Sequence, residues 1–597
     1  MFKKTLGLLK PNFKPIILFD LLVKVLLVTL VVPVAWGVFV LSLKVVGIDY
    51  IGNDTLGTYL KSPSTWVVAV VVILLAAVFN YIEISGIVTA IHKSKSQSRV
   101  TVGKLMGSAV MSAKKMILSR NFGMIFVLLL LLPLTQALPV TGIVSTLTLP
   151  EFISDFIKAN TILVVLLSVV ILVLTILAIR WIFVFNRFSL TDETFKQSAK
   201  SSSKLIKGNY LKTIFKLILF GLFEFAVSVV LIVAISLIAM IFIQIFCDSS
   251  SRHDVAVVTF GNIARVVNAV VVFLGSIGGF AFIGAMYYDL CEEKSVEPSN
   301  ISVAEKPMKN SHSIVISVLS VAMICVFVGS VAVSPSFAKN VNSMRIMSVA
   351  HRGYSTIYPE NNIPAFENAI RVGADYIELD VHQTKDGVVV VTHDASIKRI
   401  AGVDKNVYDL TFDELESYDV GSWFSPDYKD LRVATLDQVM KLCKDKINVQ
   451  IELKPTGNEP NFEQNVVDVV KKNDMQEQCL FGSMSADCLK TIKKLDPSLK
   501  TLYIMMTAVG NMKQIDFADS FSIEDSFVDE GLIDEIHSLS KTCFVWTLNT
   551  EETMNNAVSR GVDGIVSDDP TMVQKVVERK GNSELVFSIA DLIYGKK

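Results

Sequence analysis

Four short polar clusters in the second half of this 597-residue chain carry side chains that could act together on one phosphate group. His351-Arg352-Gly353 follows the apolar run Met347–Ala350, and His393-Asp394 follows Val388–Thr392. Glu378 and Asp380 stand two apart within Tyr376–Val381, so on an extended strand their side chains face the same way. Glu452-Leu453-Lys454 ends the run that begins at Asn448. Three carboxylates suit a hard divalent cation, which prefers oxygen ligands. Two histidines can give and take a proton near neutral pH. Arg352 and Lys454 can neutralise a phosphate, one as a planar fork and the other as a point charge. Cation, acid–base pair and anion clamp together describe phosphodiester cleavage.

All four clusters fall at the ends of short β-rich runs, and amphipathic helical stretches separate most of these runs. Strands are expected at Met347–Ala350, Tyr376–Val381, Val388–Thr392, Asn448–Leu453, Leu480–Ser483, Thr501–Met505, Cys543–Leu548 and Gly564–Ser567, with a weaker one near Phe521. Helices are expected at Ile363–Val372, Leu436–Cys443, Phe462–Lys472 and Glu551–Ser559. Strands alternating with helices over about 250 residues predict an α/β, TIM-type (β/α)8 barrel, whose catalytic groups gather at the C-terminal strand ends. One joint departs from the pattern. Only Gln383-Thr384-Lys385-Asp386-Gly387 separates two strands, which suits a hairpin and predicts an irregular barrel there. His382 is expected on the face opposite Asp380, and it and His537 are read as structural.

An ordered set of motifs then resembles the glycerophosphodiester phosphodiesterase family. It comprises His351-Arg352-Gly353, Pro359-Glu360-Asn361, Glu378-Leu379-Asp380-Val381 and the run from Thr384-Lys385-Asp386-Gly387 to His393-Asp394. Asp409-Leu410-Thr411, Gly421-Ser422-Trp423-Phe424, Glu452-Leu453-Lys454, Val545-Trp546-Thr547 and Gly561-Val562-Asp563-Gly564-Ile565 follow in the family's order. The resemblance implies hydrolysis of a glycerophosphodiester to sn-glycerol 3-phosphate and an alcohol, with one divalent ion, Ca²⁺ or Mg²⁺. Carried over, it makes His351 and His393 the acid–base pair and Glu378, Asp380 and Glu452 the metal ligands. Arg352 and Lys454 would contact phosphate, Glu360 would support the metal and substrate, and Trp546 would stand at the glycerol end of the pocket. The resemblance also implies an inserted segment near 395–435. Asn362 and Val433-Ala434-Thr435-Leu436 depart from the family's usual Thr and Ile-Pro-Thr-Leu, and neither change removes a reacting group.

The first half is a different material. Residues 1–340 hold 29 Lys and Arg against 16 Asp and Glu, whereas 341–597 hold 27 against 41. An acidic catalytic half argues against a nucleic-acid partner. A bilayer crossing takes about 20 mostly apolar residues, and seven stretches qualify: 16–46, 65–91, 122–146, 160–186, 213–246, 264–288 and 312–334. The expected organisation is therefore a multi-span α-helical membrane domain, 1–340, followed by the barrel, 341–597. The first and fifth stretches are long enough to tilt, break or extend past the bilayer. Lys24, Glu83, Arg180 and Glu224 lie in the spans, several near span ends where snorkelling accounts for them. The N-terminal tail and the loops near 92–121, 187–212 and 289–311 carry 4, 7, 6 and 3 Lys and Arg, against one in each alternate loop. That bias predicts a cytoplasmic N-terminus and, after seven crossings, an extracellular barrel.

These expectations describe a cell-membrane enzyme acting on a lipid headgroup, an intact phospholipid or a polyglycerol-phosphate polymer beside the bilayer. The attacking group is water or the substrate's own 2-hydroxyl. Two other readings stand beside it: a lipid-binding or transport protein with a regulatory barrel, and a phospholipase-like lyase giving a cyclic phosphate. The sequence is silent on oligomeric state. The seven cysteines show no metal-binding or C-x-x-C spacing.

Overall fold

The computed structural model describes residues 1–118, 121–131, 160–249, 252–299 and 345–579, with single positions at 157 and 593. The chain divides into two compact units. One comprises Met1–Ser42, Ser64–Cys247 and Asn262–Lys339, and the other comprises Leu43–Pro63, Asp248–Gly261 and Asn340–Lys597.

The second unit is built on eight parallel strands: β1 (Met347–Ala350), β2 (Tyr376–Gln383), β3 (Asn448–Leu453), β4 (Cys479–Ser483), β5 (Lys500–Met505), β6 (Ser520–Glu524), β7 (Thr542–Trp546) and β8 (Gly564–Ser567). Each pairs with the next, and β8 pairs with β1 to close the ring. Helices Ile363–Arg371, Leu436–Cys443, Phe462–Lys472, Ala486–Leu495, Glu530–Ser538, Glu551–Arg560 and Pro570–Glu578 lie along the chain between or after the strands. The period-two pleat separates the two faces of β2. Ile377, Leu379 and Val381 pack in one apolar cluster with Phe366, Ala369 and Val466 of the helices, which leaves Glu378, Asp380 and His382 to face the ring interior. His382 thus shares a face with Asp380, contrary to expectation, because two residues of strand restore a side chain's direction.

The irregular joint is a hairpin. Val389–Val391 runs antiparallel to the end of β2, with Val381 opposite Val391, and pairs on its other edge with Ala434–Thr435. It stands outside the ring, and the run near Phe521 supplies the eighth barrel strand as β6. Gly387 at φ +87° and the Thr384–Val388 backbone hydrogen bond make the tight turn that a crossover helix would otherwise replace. Residues beyond the hairpin gather round a small core of their own, Val390, Ile397, Val407, Leu410, Leu415 and Val433. Their short helix Phe412–Glu416 starts on a capping box between Thr411 and Glu414.

Five helical runs among the described residues are long and apolar enough to cross a membrane: Phe2–Val46, Pro63–Lys95, Thr161–Leu190, Tyr210–Phe246 and Val255–Glu293. They cover five of the seven expected spans. Of the other two, 122–146 is described only over 122–131, helical at Gly123–Leu131, and 312–334 lies outside the described residues. The long fifth stretch is one continuous helix, whereas the first contains a π-turn at Leu27–Val31. Lys24 does not snorkel outward. Its ammonium binds the carboxylates of Asp20 at 2.6 Å and Glu83 at 2.9 Å, both buried, because two carboxylates inside an apolar bundle need a cation more than the lysine needs water.

Candidate active site

The candidate catalytic groups lie at the C-terminal ends of β1, β2, β3, β7 and β8 and on the hairpin. His351 leaves β1 into a turn in which Arg352 has φ +57° and Gly353 φ +85°. A Cβ on Gly353 would lie 2.6 Å from that of Ala365, so only glycine fits where this turn meets the following helix. The left-handed Arg352 aims its backbone N–H at Glu378 Oε2, 2.9 Å away. Such a conformation in a non-glycine residue is strained and is held only where surrounding structure fixes it.

Glu378, Asp380 and Glu452 each offer an oxygen within 4.8 Å of the others. Two of them follow from alternation on β2, and Glu452 sits opposite Asp380 in the β2–β3 register. Asp380 is almost wholly buried and receives Asn361 Nδ2 at 2.8 Å and Lys454 Nζ at 2.9 Å, with Arg352 Nε 3.6 Å away. Burial opposes its charge, but Lys454, His393 and Arg352 outweigh that and hold it well below the usual carboxylate range. Burial, reinforced by Asp380 and Glu452, pushes Glu378 well above that range. Burial likewise pushes Glu452 up to about 7 against the pull of Lys454. Three crowded carboxyls, two of them unwilling to ionise beside the third, have the charge and oxygen donors to hold a divalent cation in place of protons. The residues present fit such an ion.

The two histidines are each oriented by a carboxylate. His351 Nδ1–H donates to Asp568 Oδ1 at 2.6 Å, and His393 Nδ1–H to Asp394 Oδ1 at 2.7 Å. In both, the partner fixes the ring and leaves Nε2 as the exchanging nitrogen. Burial, aided by Arg352, lowers the pKa of His351 despite Asp568. Asp568 itself is held by Asn549, which donates at 2.7 Å to Oδ2, and by Ser355, which donates at 3.1 Å to Oδ1. His382 Nε2–H donates to the backbone oxygen of His393, 3.2 Å away, and so braces the hairpin end. His537 meets Asp563 at 2.8 Å among the barrel's peripheral elements, as a structural histidine would.

Glu360 accepts from Arg352 at 3.1 Å and from Arg399 at 2.7 Å. Arg399 also binds Asp394 at 2.7 Å and stacks over Trp423 at 5.3 Å, linking the inserted segment to both arginine-bound acids. Trp546 ends β7, where its Nε1–H is spent on Ser522 O at 3.0 Å. Its position at the end of β7 places it at the C-terminal rim of the ring. Sequence reasoning missed Asp568, Asn361, Asn549 and Arg399 as site residues. Asp568 follows the last barrel strand directly, a position where the barrel rule would have found it, and Asn361 sat inside a quoted motif. Arg399 gives no local signal.

Both halves of the chain are similar to known proteins. Residues 351–572 match the model of the glycerophosphoryl diester phosphodiesterase family, and residues 2–329 match that of the membrane domain of glycerophosphoryl diester phosphodiesterase. A glycerophosphodiester phosphodiesterase of Caldanaerobacter subterraneus is 32% identical over 243 residues, 40% of this chain and 100% of its own. The Bacillus subtilis protein YhdW is 34% identical over 233 residues, 38% of this chain and 96% of its own. The structure of an Oleispira antarctica phosphodiesterase, 25% identical, covers 40% of this chain and 99% of that one with a TM-score of 0.37.

Proposed function

Because this chain belongs to the glycerophosphoryl diester phosphodiesterase family and is thus a phosphoric diester hydrolase, we propose that it is a metal-assisted, multi-span membrane enzyme releasing sn-glycerol 3-phosphate and an alcohol. The observation that carries this reading is the convergence of Glu378, Asp380 and Glu452 within 4.8 Å, flanked by two carboxylate-oriented histidines at the strand ends. The three carboxylates would hold one Ca²⁺ or Mg²⁺. When bound, that ion would supply Lewis-acid polarisation of a phosphate oxygen.

The chain's own groups do the rest. Arg352 and Lys454 hold and neutralise the phosphate. Glu360 aligns Arg352 through their 3.1 Å contact. His351, kept neutral by its surroundings, accepts the nucleophile's proton at Nε2, and His393 returns one at Nε2 to the leaving alkoxide. Asp568 and Asp394 keep both rings in the tautomer this needs. Trp546 closes the glycerol end of the pocket with its indole face, which suits a small polyol's carbons.

The substrate is a membrane-associated glycerophosphodiester, a lipid headgroup or a polyglycerol-phosphate unit, as the fused membrane domain suggests. The barrel acts outside the cell. The segments Leu43–Pro63 and Asp248–Gly261 belong to its compact unit, and the loops they contain are those poorest in Lys and Arg, which is the composition of external loops.

The experiment is release of glycerol 3-phosphate from glycerophosphocholine and glycerophosphoglycerol by the purified full chain, with and without chelator. Wild type should release it only with metal, and the Glu378→Ala/Asp380→Ala variant should not. His351→Ala and His393→Ala should each lose about 10²-fold or more in rate. Metal-independent release, or losses under about tenfold for both histidines, would sink the assignment.

A further inference from the structure

The barrel unit contains a piece of chain from far away in sequence. Leu43–Pro63 bridges the first two candidate membrane helices, Phe2–Val46 and Pro63–Lys95, yet it packs as part of the catalytic unit. Tyr50–Ile51 forms a short antiparallel ladder with Val509–Gly510, just beyond β5, extended by Asn511 N–H donating to Asp49 O at 3.2 Å. The approach is close enough to demand glycine. Gly510 has φ +117°, and a Cβ there would lie 2.7 Å from both Asp49 O and Tyr50 Cα.

Asn53 then clasps the C-terminal ends of two barrel strands. Its Nδ2 donates to Ile504 O at 2.7 Å and Met484 O at 3.1 Å, while Oδ1 accepts from Met506 N–H at 2.8 Å. Both donors and the acceptor of one carboxamide are thus spent on main chain at the ends of these strands. Next to it, Asp54 accepts from the hydroxyl of Tyr503, a fully buried side chain of β5. From Met484 the path to the candidate site is one peptide and one hydrogen bond. Ser483, fully buried, donates from Oγ to Leu453 O at 2.8 Å, and Leu453 stands between Glu452 and Lys454.

We propose that Asn53 is a positioning residue of the hydrolase site, which sets the Glu452–Lys454 strand end through Met484 and Ser483. The inference rests on the assignment of Glu452 and Lys454 to metal and phosphate made above. Asn53 touches neither reactant. It fixes the main chain from which two of the site's charges project, so the membrane half contributes to the geometry of the catalytic half.

The test uses the full chain in detergent. The double variant Ile51→Cys/Val509→Cys, whose positions are register partners, should cross-link under mild oxidation. Asn53→Ala should raise the Ca²⁺ or Mg²⁺ concentration for half-activation about 3- to 10-fold, somewhat less than changing a direct partner of a ligand. The same shift should appear in the metal concentration that raises thermal stability, which needs no substrate. Thr58→Ala, at an exposed position of the same segment, should match wild type. Absence of the cross-link overturns the proposal. So does an Asn53→Ala chain whose turnover falls while both metal midpoints stay at the wild-type values, since that is merely lost folded protein. If Asn53→Ala does not fold, Asn53→Ser carries the same comparison. Failure of wild type to release glycerol 3-phosphate would instead strike the functional assignment, and the cross-link and thermal titration would still read the clasp.

Discussion

The protonation of His351 reflects a balance that one substitution can shift. Asp568 raises the histidine's pKa, against burial and Arg352, which lower it. Asp568→Asn keeps the shape, removes that charge and admits the wrong tautomer. Turnover should fall about 10²-fold, and the acid limb of the kcat/KM profile should move to lower pH. A limb that stays in place or moves up would refute the pairing. Arg399 makes a second case. Arg399→Ala leaves Glu360 with Arg352 alone and Asp394 without its cation, so KM should rise about tenfold while the fold survives; equal KM would show that this arginine is ornamental to the site. The reacting residues were legible because their chemistry restricts residue type: few side chains bind hard cations or exchange protons at neutral pH. Asp568, Asn549 and Arg399 were harder because they act on other side chains, a role that many polar residues in many places can fill.

Strand ends carry the site, so the elements matter through the loops they present. The parallel ring was readable because Ile377, Leu379 and Val381 alternate with Glu378 and Asp380, and because β-branched runs recur between amphipathic helices. Which runs close the ring was less readable. Val389–Val391 has the strongest local strand composition yet pairs outside it, because a five-residue connection cannot carry the chain through a parallel crossover. Ser520–Glu524 is rich in polar residues and still belongs, since both its neighbours are parallel barrel strands. Ion pairs also tie strand entries to helices. Lys493 binds Asp519 at 2.6 Å, and burial of Asp519 is outweighed by that contact and by Thr501, so its pKa is lowered. A depressed carboxylate adds stability above its unfolded pKa, near 4, and loses it as pH falls toward the folded value. Lys493→Met should therefore lower the thermal midpoint at pH 7, and the gap from wild type should shrink toward pH 3. A gap that widens on acidification would contradict this.

At the scale of the molecule, the charge split between halves and the apolar runs announced a membrane part and a soluble part. The alliance of Leu43–Pro63 with the barrel could not be read, because a two-residue ladder between positions hundreds of residues apart leaves no local pattern. Nor could the tie of Glu83 to the Asp20–Lys24 pair, because Glu83 lies on another helix 59 residues on from Lys24. Topology gives the prediction at this scale. In intact cells expressing a chain whose own cysteines are replaced by serine, Thr58→Cys should react with a membrane-impermeant thiol reagent. Lys104→Cys should react only after permeabilisation. The reverse pattern would put the barrel in the cytoplasm.

The clasp of Asn53 on Met484, Ile504 and Met506 also bears on how this protein can be cut. A recombinant fragment beginning at residue 341 would look like an entire enzyme by homology, yet it would leave three main-chain groups at the rim and the Tyr503 hydroxyl without their partners. Each such group costs about 1–3 kcal/mol when it stays shielded from water. A minimal soluble version should therefore carry residues 47–62 grafted back through a linker.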